Sequence, residues 1–396
     1  MRLFTKEEFS MVFFAQTDVA GTIIWFVLLF VLFMVYPRLM LSQLIYKIEA
    51  SAKRLEQMSQ DSIKITAKKT GDEENKKKIE AFTDFFVVEP SSLDPYGIVH
   101  RIDQTIRQME NRFSLFVDSI VKGKSYQEKQ EINYGLRASM GLRQMAKIVR
   151  HYVEIAKKFK NLQIAMILQM QLPIIEKIAE SELKGTEAFV NGWPIGDSIG
   201  PLVAASYIEK AKDIAEEVVI GETTVEGRKC FVLKAKGPAP HLGRMDEAIT
   251  AIMKKNKISR IITIDAALKL EGEKTGSVAE GVGFAMGGWG QREMIEGVLL
   301  KQKKPLDSIV IKVGMTEAIA PMLKAVFDAL PAAREFVEAA VLRAKKNEKI
   351  IIIGVGNSCG IPDTKKGIED VKKVVLELDK KTKKDEEDHK KKHKWW

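Results

Sequence analysis

From Val19 to Pro37 the chain reads VAGTIIWFVLLFVLFMVYP without a single charge, and no other feature limits its fold as strongly. Crossing the hydrocarbon of a bilayer takes roughly 20 apolar residues in a helix, and a helix satisfies its own backbone there. Trp25 and Tyr36 stand where the two interfaces would lie. A secretory signal would have a basic start, a shorter apolar stretch and a small-residue cleavage site. Here Glu7, Glu8 and Asp18 come first, and the run ends in Tyr-Pro-Arg. A retained transmembrane helix over 19–37 is therefore expected. Arg38, Lys47, Lys53 and Arg54 follow it, against Arg2 and Lys6 before it. Cationic flanks stay inside. The expectation is a single-pass protein of the cell membrane, with residues 1–18 outside and the bulk of the chain cytoplasmic.

The 396 residues carry a formal net charge of +10, with 45% hydrophobic and 29% charged residues. That balance supports a sizeable core and, by length, two or three domains. A basic chain points to nucleic acid or anionic lipid. No basic groove interleaved with aromatics supports nucleic acid, so the bilayer is the expected partner. The two cysteines, Cys230 and Cys359, form no CxxC, which argues against a disulfide framework or a zinc ribbon.

Leu39, Leu41, Leu44, Ile45, Ile48 and Leu55 recur at helical spacing, which extends the membrane helix into a stalk ending near Met58. Residues 66–79 are polar and unpatterned and predict a loop. Ser92 and Asp94 before Pro95 signal a helix start. Ile98, Ile102, Ile106, Met109, Phe113 and Phe116 then follow one helical face. Helices are also predicted over 126–159 and 161–183, the second kinked by Pro173. Residues 38–185 thus form a helical stalk and domain. His100 and His151 stand alone there and suit packing better than metal binding.

Beyond Glu187, short β-branched runs alternate with helical stretches. They are AFV (188–190), EEVVIGE (216–222), KCFVLKA (229–235), RIITIDA (260–266), SIVIKV (308–313) and KIIIIGVG (349–356). Continuous apolar strands separated by helices predict a doubly wound, mostly parallel sheet over 186–378, an α/β fold. Residues 379–396, with eight lysines and five acids, predict a disordered basic tail. His389 and His393 in such a tail make a poor metal cage.

Ligands of an open α/β sheet bind beyond the carboxyl ends of its strands. Asn191 to Pro201 follow the first predicted strand, and Asp265 ends RIITI. Gly196 and Gly200 allow close backbone approach, and Asp197 or Ser198 suits a helix cap. If the two strands are neighbours, Asp197 and Asp265 share a crevice, and one of two close carboxylates holds a proton. Otherwise Asp197 is a cap and Asp265 a loop-fixing group. The run GSVAEGVGFAMGGWGQRE (276–293) has six glycines, among them Gly281, Gly283, Gly287 and Gly288. It reads as a flexible loop able to face an anion at a helix N-terminus. His241 and Arg244 lie near another helix start. Gly354-Val355-Gly356-Asn357 falls short of a dinucleotide fingerprint. Cys359 has no adjacent histidine, and Ser198 lacks a GxSxG elbow.

The single span, VEPSSLDPYGIV, GDSIGP, IDAALKLEG and the run ending GGWG resemble, over nearly the whole chain, an archaeal membrane-anchored family known only as a domain of unknown function. Over roughly half the chain, the order of motifs is similar to the spore germination protease and hydrogenase-maturation endopeptidase group. Asp197-Ser198-Ile199-Gly200-Pro201 resembles that group's Gly-rich turn, and Ile264-Asp265-Ala266 resembles its later strand ending in Asp-Ala. This resemblance implies catalytic roles for Asp197 and Asp265. The endopeptidases add a histidine to bind metal. None lies between Asp265 and the tail, and His241 is out of order, so no metal and no cofactor is expected.

The leading expectation is a membrane-tethered, aspartate-dependent peptidase acting on a cytoplasmic or membrane-proximal protein. Asp197 and Asp265 would share acid and base work on a water, beside Gly196, Ser198, Gly200, Gly281, Gly283, Gly287 and Gly288. The alternative is a non-catalytic membrane scaffold that forms a homo-oligomer and whose α/β domain binds a small anionic ligand.

Overall fold

The computed structural model describes residues 19–88, 97–283 and 304–393. The chain divides into two compact units, one of residues 1–54 with 147–175, the other of 55–146 with 176–396. Its helices begin with α1 (Val19–Thr70), α2 (Asn75–Phe82), α3 (Ile98–Ile120), α4 (Tyr126–Phe159) and α5 (Leu162–Asn191).

The first unit is helical. Ile23 to Tyr36 on α1 are exposed, with Phe33 83% accessible. Length and apolarity suffice for this stretch to cross a membrane. Farther along, Leu44, Ile48 and Ala52 bury one face of α1, Val149, Val153 and Ala156 one face of α4, and Ala165, Leu168 and Leu172 one face of α5. Spacings of three and four keep each set on one stripe. Glu49 accepts ion pairs from Arg150 at 2.8 Å and Lys157 at 2.5 Å. The Lys157 bond and then the Arg150 bond hold its carboxyl below the usual range. Lys160 at φ 47° turns the chain from α4 into α5, and the Asn161 side chain caps the new helix through the Ile164 N–H at 3.0 Å.

In the second unit, α6 (Ile199–Ala205), α7 (Met245–Lys255), α8 (Leu330–Leu342) and α9 (Ile368–His393) surround a seven-stranded sheet. Its strands are β1 (Lys212–Ala215), β2 (Val218–Val225), β3 (Arg228–Ala235), β4 (Ile258–Leu268), β5 (Val278–Val282), β6 (Leu306–Val313) and β7 (Lys349–Gly354). The order is β1-β2-β3-β7-β4-β6-β5. The strands β3, β7, β4 and β6 run parallel. The outer pairs β1/β2, β2/β3 and β5/β6 are antiparallel, so the α/β fold holds, with a mixed sheet that is parallel at its centre and antiparallel at its edges. Ile350 and Ile352 face one core with α6, α8 and the start of α9. Ile351 and Ile353 face the other with α7. Alternation along a strand sends neighbours to opposite faces, which is why a central strand must be apolar throughout. A separate cluster joins Ile63, Ile79, Phe113, Val117, Ile132 and Leu136 from α1 to α4.

Several sequence expectations need correction. Residues 188–190 are not a strand: Ala188, Phe189 and Val190 are the buried end of α5. Three apolar residues are too few to display a period, and here they continue the preceding helical face. The predicted loop at 66–79 holds the end of α1 and the start of α2, and α1 runs well past Met58. Polar groups masked that packing: Thr66 and Ser139 hydroxyls meet at 3.0 Å, and Asn75 donates to the Ile120 carbonyl at 2.9 Å. Pro173 lies inside α5 without ending it. The glycine-rich run contains β5. The tail is helical as far as His393 rather than disordered, helped by Lys383 reaching Asp379 four residues earlier at 2.7 Å. The Ser92/Asp94 start, Gly287 and Gly288 lie outside the described residues.

The central strand sets the stability of this unit. Ile352→Ala should cost about 2–5 kcal/mol, read as a lower denaturant midpoint with unchanged slope.

Candidate functional site

β4 and β7 end side by side at the carboxyl edge of the sheet, where the Val355 N–H donates to the Ile264 carbonyl at 2.8 Å. The start of α6 lies against this edge. A Cβ at Gly200 would fall 2.1 Å from the Val355 carbonyl oxygen and 2.5 Å from that of Ile264, so only glycine fits. Asp197 precedes it in the 3-10 turn Gly196–Ser198, after a helix and not after a strand. Gly356, at φ 120°, brings the β7 loop against this turn, and the Asn357 N–H donates to Asp197 Oδ2 at 2.8 Å.

Asp197 is half-buried. Burial raises its pKa, and the Asn357 hydrogen bond opposes that rise. A second carboxylate has no part in the shift. Asp265 is buried on β4, and its Oδ1 accepts the Ala266 N–H at 2.7 Å. The turn and the strand thus bring both aspartates to one edge of the sheet, each bound to a backbone N–H. A coupled acid pair would show mutual perturbation; the raised pKa of Asp197 instead has desolvation as its cause.

The other candidates divide by place. Gly196 packs where a Cβ would meet the Glu317 carbonyl at 2.2 Å. The buried Ser198 hydroxyl donates to the Cys359 carbonyl at 3.3 Å and accepts the Ile195 N–H at 3.4 Å, so it closes the turn. Gly281 pairs with Ser308, which pairs with Thr263. β5 therefore runs away from the carboxyl edge, and Gly281 and Gly283 lie toward the opposite end of the sheet. The Cys359 thiol is buried and pushed up by desolvation, the reverse of an activated nucleophile. Lys234, wholly buried, donates to Asp363 Oδ1 at 2.7 Å and to the Ala235 carbonyl at 2.7 Å. Burial lowers its pKa against the pull of Asp363. The Gly237 N–H shares that Asp363 oxygen at 2.7 Å. These groups hold the β7 loop to β3.

A second polar site escaped the sequence reading. A cleft of about 250 Å³ opens between α3, α4 and the loops flanking β2 and α7, and three arginines line it. Arg107 pairs with Asp103 at 3.0 Å, Glu247 at 2.7 Å and Glu216 at 3.6 Å. Arg244 pairs with Asp103 at 3.2 Å and Glu110 at 2.5 Å. Arg137 differs. Its Nε donates to Asn133 Oδ1 at 3.0 Å, and its guanidinium lies 4.8 Å from the Tyr134 ring centre and 5.1 Å from that of Phe113. Among the described residues it makes no ion pair, so its two Nη groups are uncommitted.

Burial raises the pKa of Glu110, against the pull of Arg244 and Arg137. Burial would raise Glu217 too, but His241 and Arg137 outweigh it and the net shift is downward. His241 Nδ1 stands 3.0 Å from Glu217 Oε1, yet neither ring nitrogen makes a well-aligned hydrogen bond. No group of three potential metal ligands occurs among the described residues.

The family models place this architecture. One described as "Protein of unknown function (DUF1512) N-terminal domain" matches residues 22–192, and one described as "Domain of unknown function (DUF1512) C-terminal" matches residues 195–362. The chain belongs to the DUF1512 family. The two matches meet at the turn between α5 and the Asp197 segment. No curated protein and no solved structure matches the chain.

Two outcomes follow for the sheet edge. Gly200→Ala should destabilise by about 1–3 kcal/mol or more, because rigid carbonyls occupy the space. Asp197→Asn should raise the melting temperature at neutral pH. The folded pKa of Asp197 lies above its ordinary value, so the stability from its protonated form is full below that value and lost as pH rises through the folded pKa. The gain from Asn should shrink as pH falls, which melting curves from pH 3 to 7 would read.

Proposed function

We propose that this DUF1512 protein is a membrane-tethered binding protein for a small polar ligand bearing an anionic group, held in the cleft at Arg137. The observation that carries this reading is a half-buried arginine whose guanidinium lies over two aromatic rings, with no ion-pair partner among the described residues. A planar fork suits a carboxylate or phosphate in bidentate contact, and flanking rings hold it in place at little entropic cost. Tyr134, Asn133 and Gln130 line the same cleft and supply neutral polar contacts. Glu216 and Glu217 lie across it and disfavour a highly charged anion. At roughly 30 Å³ per water-sized group, the cleft holds on the order of ten heavy atoms.

The tether is the apolar stretch of α1. Its side chains are exposed among the described residues, and lipid is the solvent that suits them. The lysine and arginine excess after it supports an outside N-terminus and a cytoplasmic bulk.

A hydrolase centred on Asp197 is the second reading. What favours it is a burial-raised acid at the carboxyl edge of the sheet, the position where such folds place chemistry. The peptidase form would need Asp265 as its partner, and Asp197→Asn would abolish turnover without unfolding.

Melting the full-length protein in nanodiscs with increasing inorganic phosphate or succinate tests the leading reading. A ligand at 100 times its Kd should add about 2.7 kcal/mol, and Arg137→Gln should remove the response while the unliganded protein stays folded. Equal stabilisation of wild type and Arg137→Gln would sink the proposal.

A further inference from the structure

Three arginines and three glutamates line the cleft at Arg137, and folding pairs them unevenly. Arg244 closes on Glu110 at 2.5 Å, and Arg107 on Asp103 and Glu247 at 3.0 and 2.7 Å. On α4, Arg137 is left without an ion pair among the described residues. On the turn between β1 and β2, the exposed Glu216 has only the 3.6 Å contact to Arg107. Glu217 meets the Tyr126 hydroxyl at 3.4 Å and His241 Nδ1 at 3.0 Å, both through Oε1. Among the described residues its Oε2 has no partner. Burial would raise the pKa of Glu217, but His241 and then Arg137 more than offset it, so the carboxylate stays ionised. Arg137 and Glu217 thus line one cleft within reach of each other's field, yet no ion pair joins them.

The backbone holds Glu217 in an unfavourable shape to present this carboxylate. Glu217 stands at φ 55°, in the left-handed region where a two-residue hairpin turn favours glycine or asparagine. The Lys236 N–H fixes its carbonyl at 2.8 Å and the Arg244 N–H fixes that of Glu216 at 3.0 Å, so the turn is rigid. Such an outlier points to a use for its side chain. An unpaired cation and an unpaired carboxylate facing one small cleft match a ligand that carries both charges. An anion alone would lie against Glu216 and Glu217, and an amine alone against Arg137.

We propose that the ligand of this cleft is a small zwitterion, an amino acid or similar amino carboxylate, with its carboxylate on the Arg137 guanidinium and its ammonium on Glu217 Oε2 beside Glu216. This rests on the anion reading of the cleft given above and adds the cationic end. A volume of about 250 Å³ suits a molecule of that size, and three cations against three acids leave no net charge for a dianion to neutralise.

Melting the full-length protein in nanodiscs with matched ligands tests the proposal. Glycine, β-alanine and γ-aminobutyrate would be compared with acetate, propionate and butyrate, which lack only the ammonium. The best of the zwitterions should bind at least about tenfold tighter than its parent acid, the worth of one charge-assisted hydrogen bond. Glu217→Gln should abolish that preference and tighten the parent acid, because it removes a like charge from the cleft. A merely structural glutamate would weaken both ligands. Should Glu217→Gln fail to fold, Glu216→Gln, on an exposed side chain, should narrow the preference in the same direction. Parent acids that respond through Arg137 while no zwitterion binds tighter would overturn the ammonium site and leave the anion reading intact. No response from either class, or an equal response in Arg137→Gln, would remove the anion reading and this proposal with it. A tenfold preference that survives in both glutamine variants would also overturn the assignment.

Discussion

The second unit depends on covering both faces of β7 at once. Ile350 to Ile353 are all wholly buried, and alternation sends them into two separate cores. Neither core can be removed without exposing two isoleucines, worth roughly 1.5–3 kcal/mol each. This forces helices onto both sides of the sheet, and it forces parallel neighbours, because crossover helices are what put those layers there. Antiparallel strands appear only outside β3 and β6, where one face can remain partly wet. The carboxyl ends of β4 and β7 then have to be closed, and the Gly200 and Gly356 contacts close them. Asp197 sits at that edge because the chain can approach so closely there.

The polar groups of that edge are largely taken up in holding it shut. Asp197 receives the Asn357 N–H, Ser198 bonds the Cys359 carbonyl, and Lys234 with Asp363 fixes the far end of the same loop. Leaving such buried groups unpaired would cost more than the bonds themselves contribute. Burial still raises the pKa of Asp197 at that edge. But each of the two carboxyls is engaged by backbone, which is the signature of a loop-fixing group more than of a free acid pair.

Much of this was legible in the sequence, for physical reasons that also explain the misses. The strands β3, β4, β6 and β7 stand out because two-sided burial demands unbroken apolar runs, and the start of α1 stands out because its apolar run is long enough to cross a membrane. The limits of α4 were read to the residue from its helical period. The runs that failed were those with too little period or the wrong polarity. Ala188 to Val190 were too few, Thr66 to Ile79 hid their packing behind buried hydroxyls and an amide, and the lysine-rich tail draws its helix from side-chain pairs. Asp265 lies on its strand as expected, but Asp197 reaches the same edge from a 3-10 turn after a helix and not from the predicted strand. Their partner could not be foreseen, because Asn357 lies 160 positions from Asp197 and is joined to it only by the strand order. Gly281 and Gly283 were set on the wrong side of the sheet because nothing local reveals that β5 runs antiparallel.

In the cleft at Arg137, pairing within the fold takes up most of the charge that the sequence total suggests. A total of +10 over the chain suggests a polyanion, yet Arg107 and Arg244 in this cleft are already neutralised by acids over a hundred residues away in the chain. A cation paired in the fold is largely neutralised, whereas Arg137 makes no ion pair among the described residues and acts on Glu110 and Glu217 only through its field. On α3 and α4 many charged residues look alike in sequence. Only the fold separates Arg137 from them, by seating its guanidinium between Phe113 and Tyr134 and sending Asp103, Glu110 and Glu247 to its neighbours.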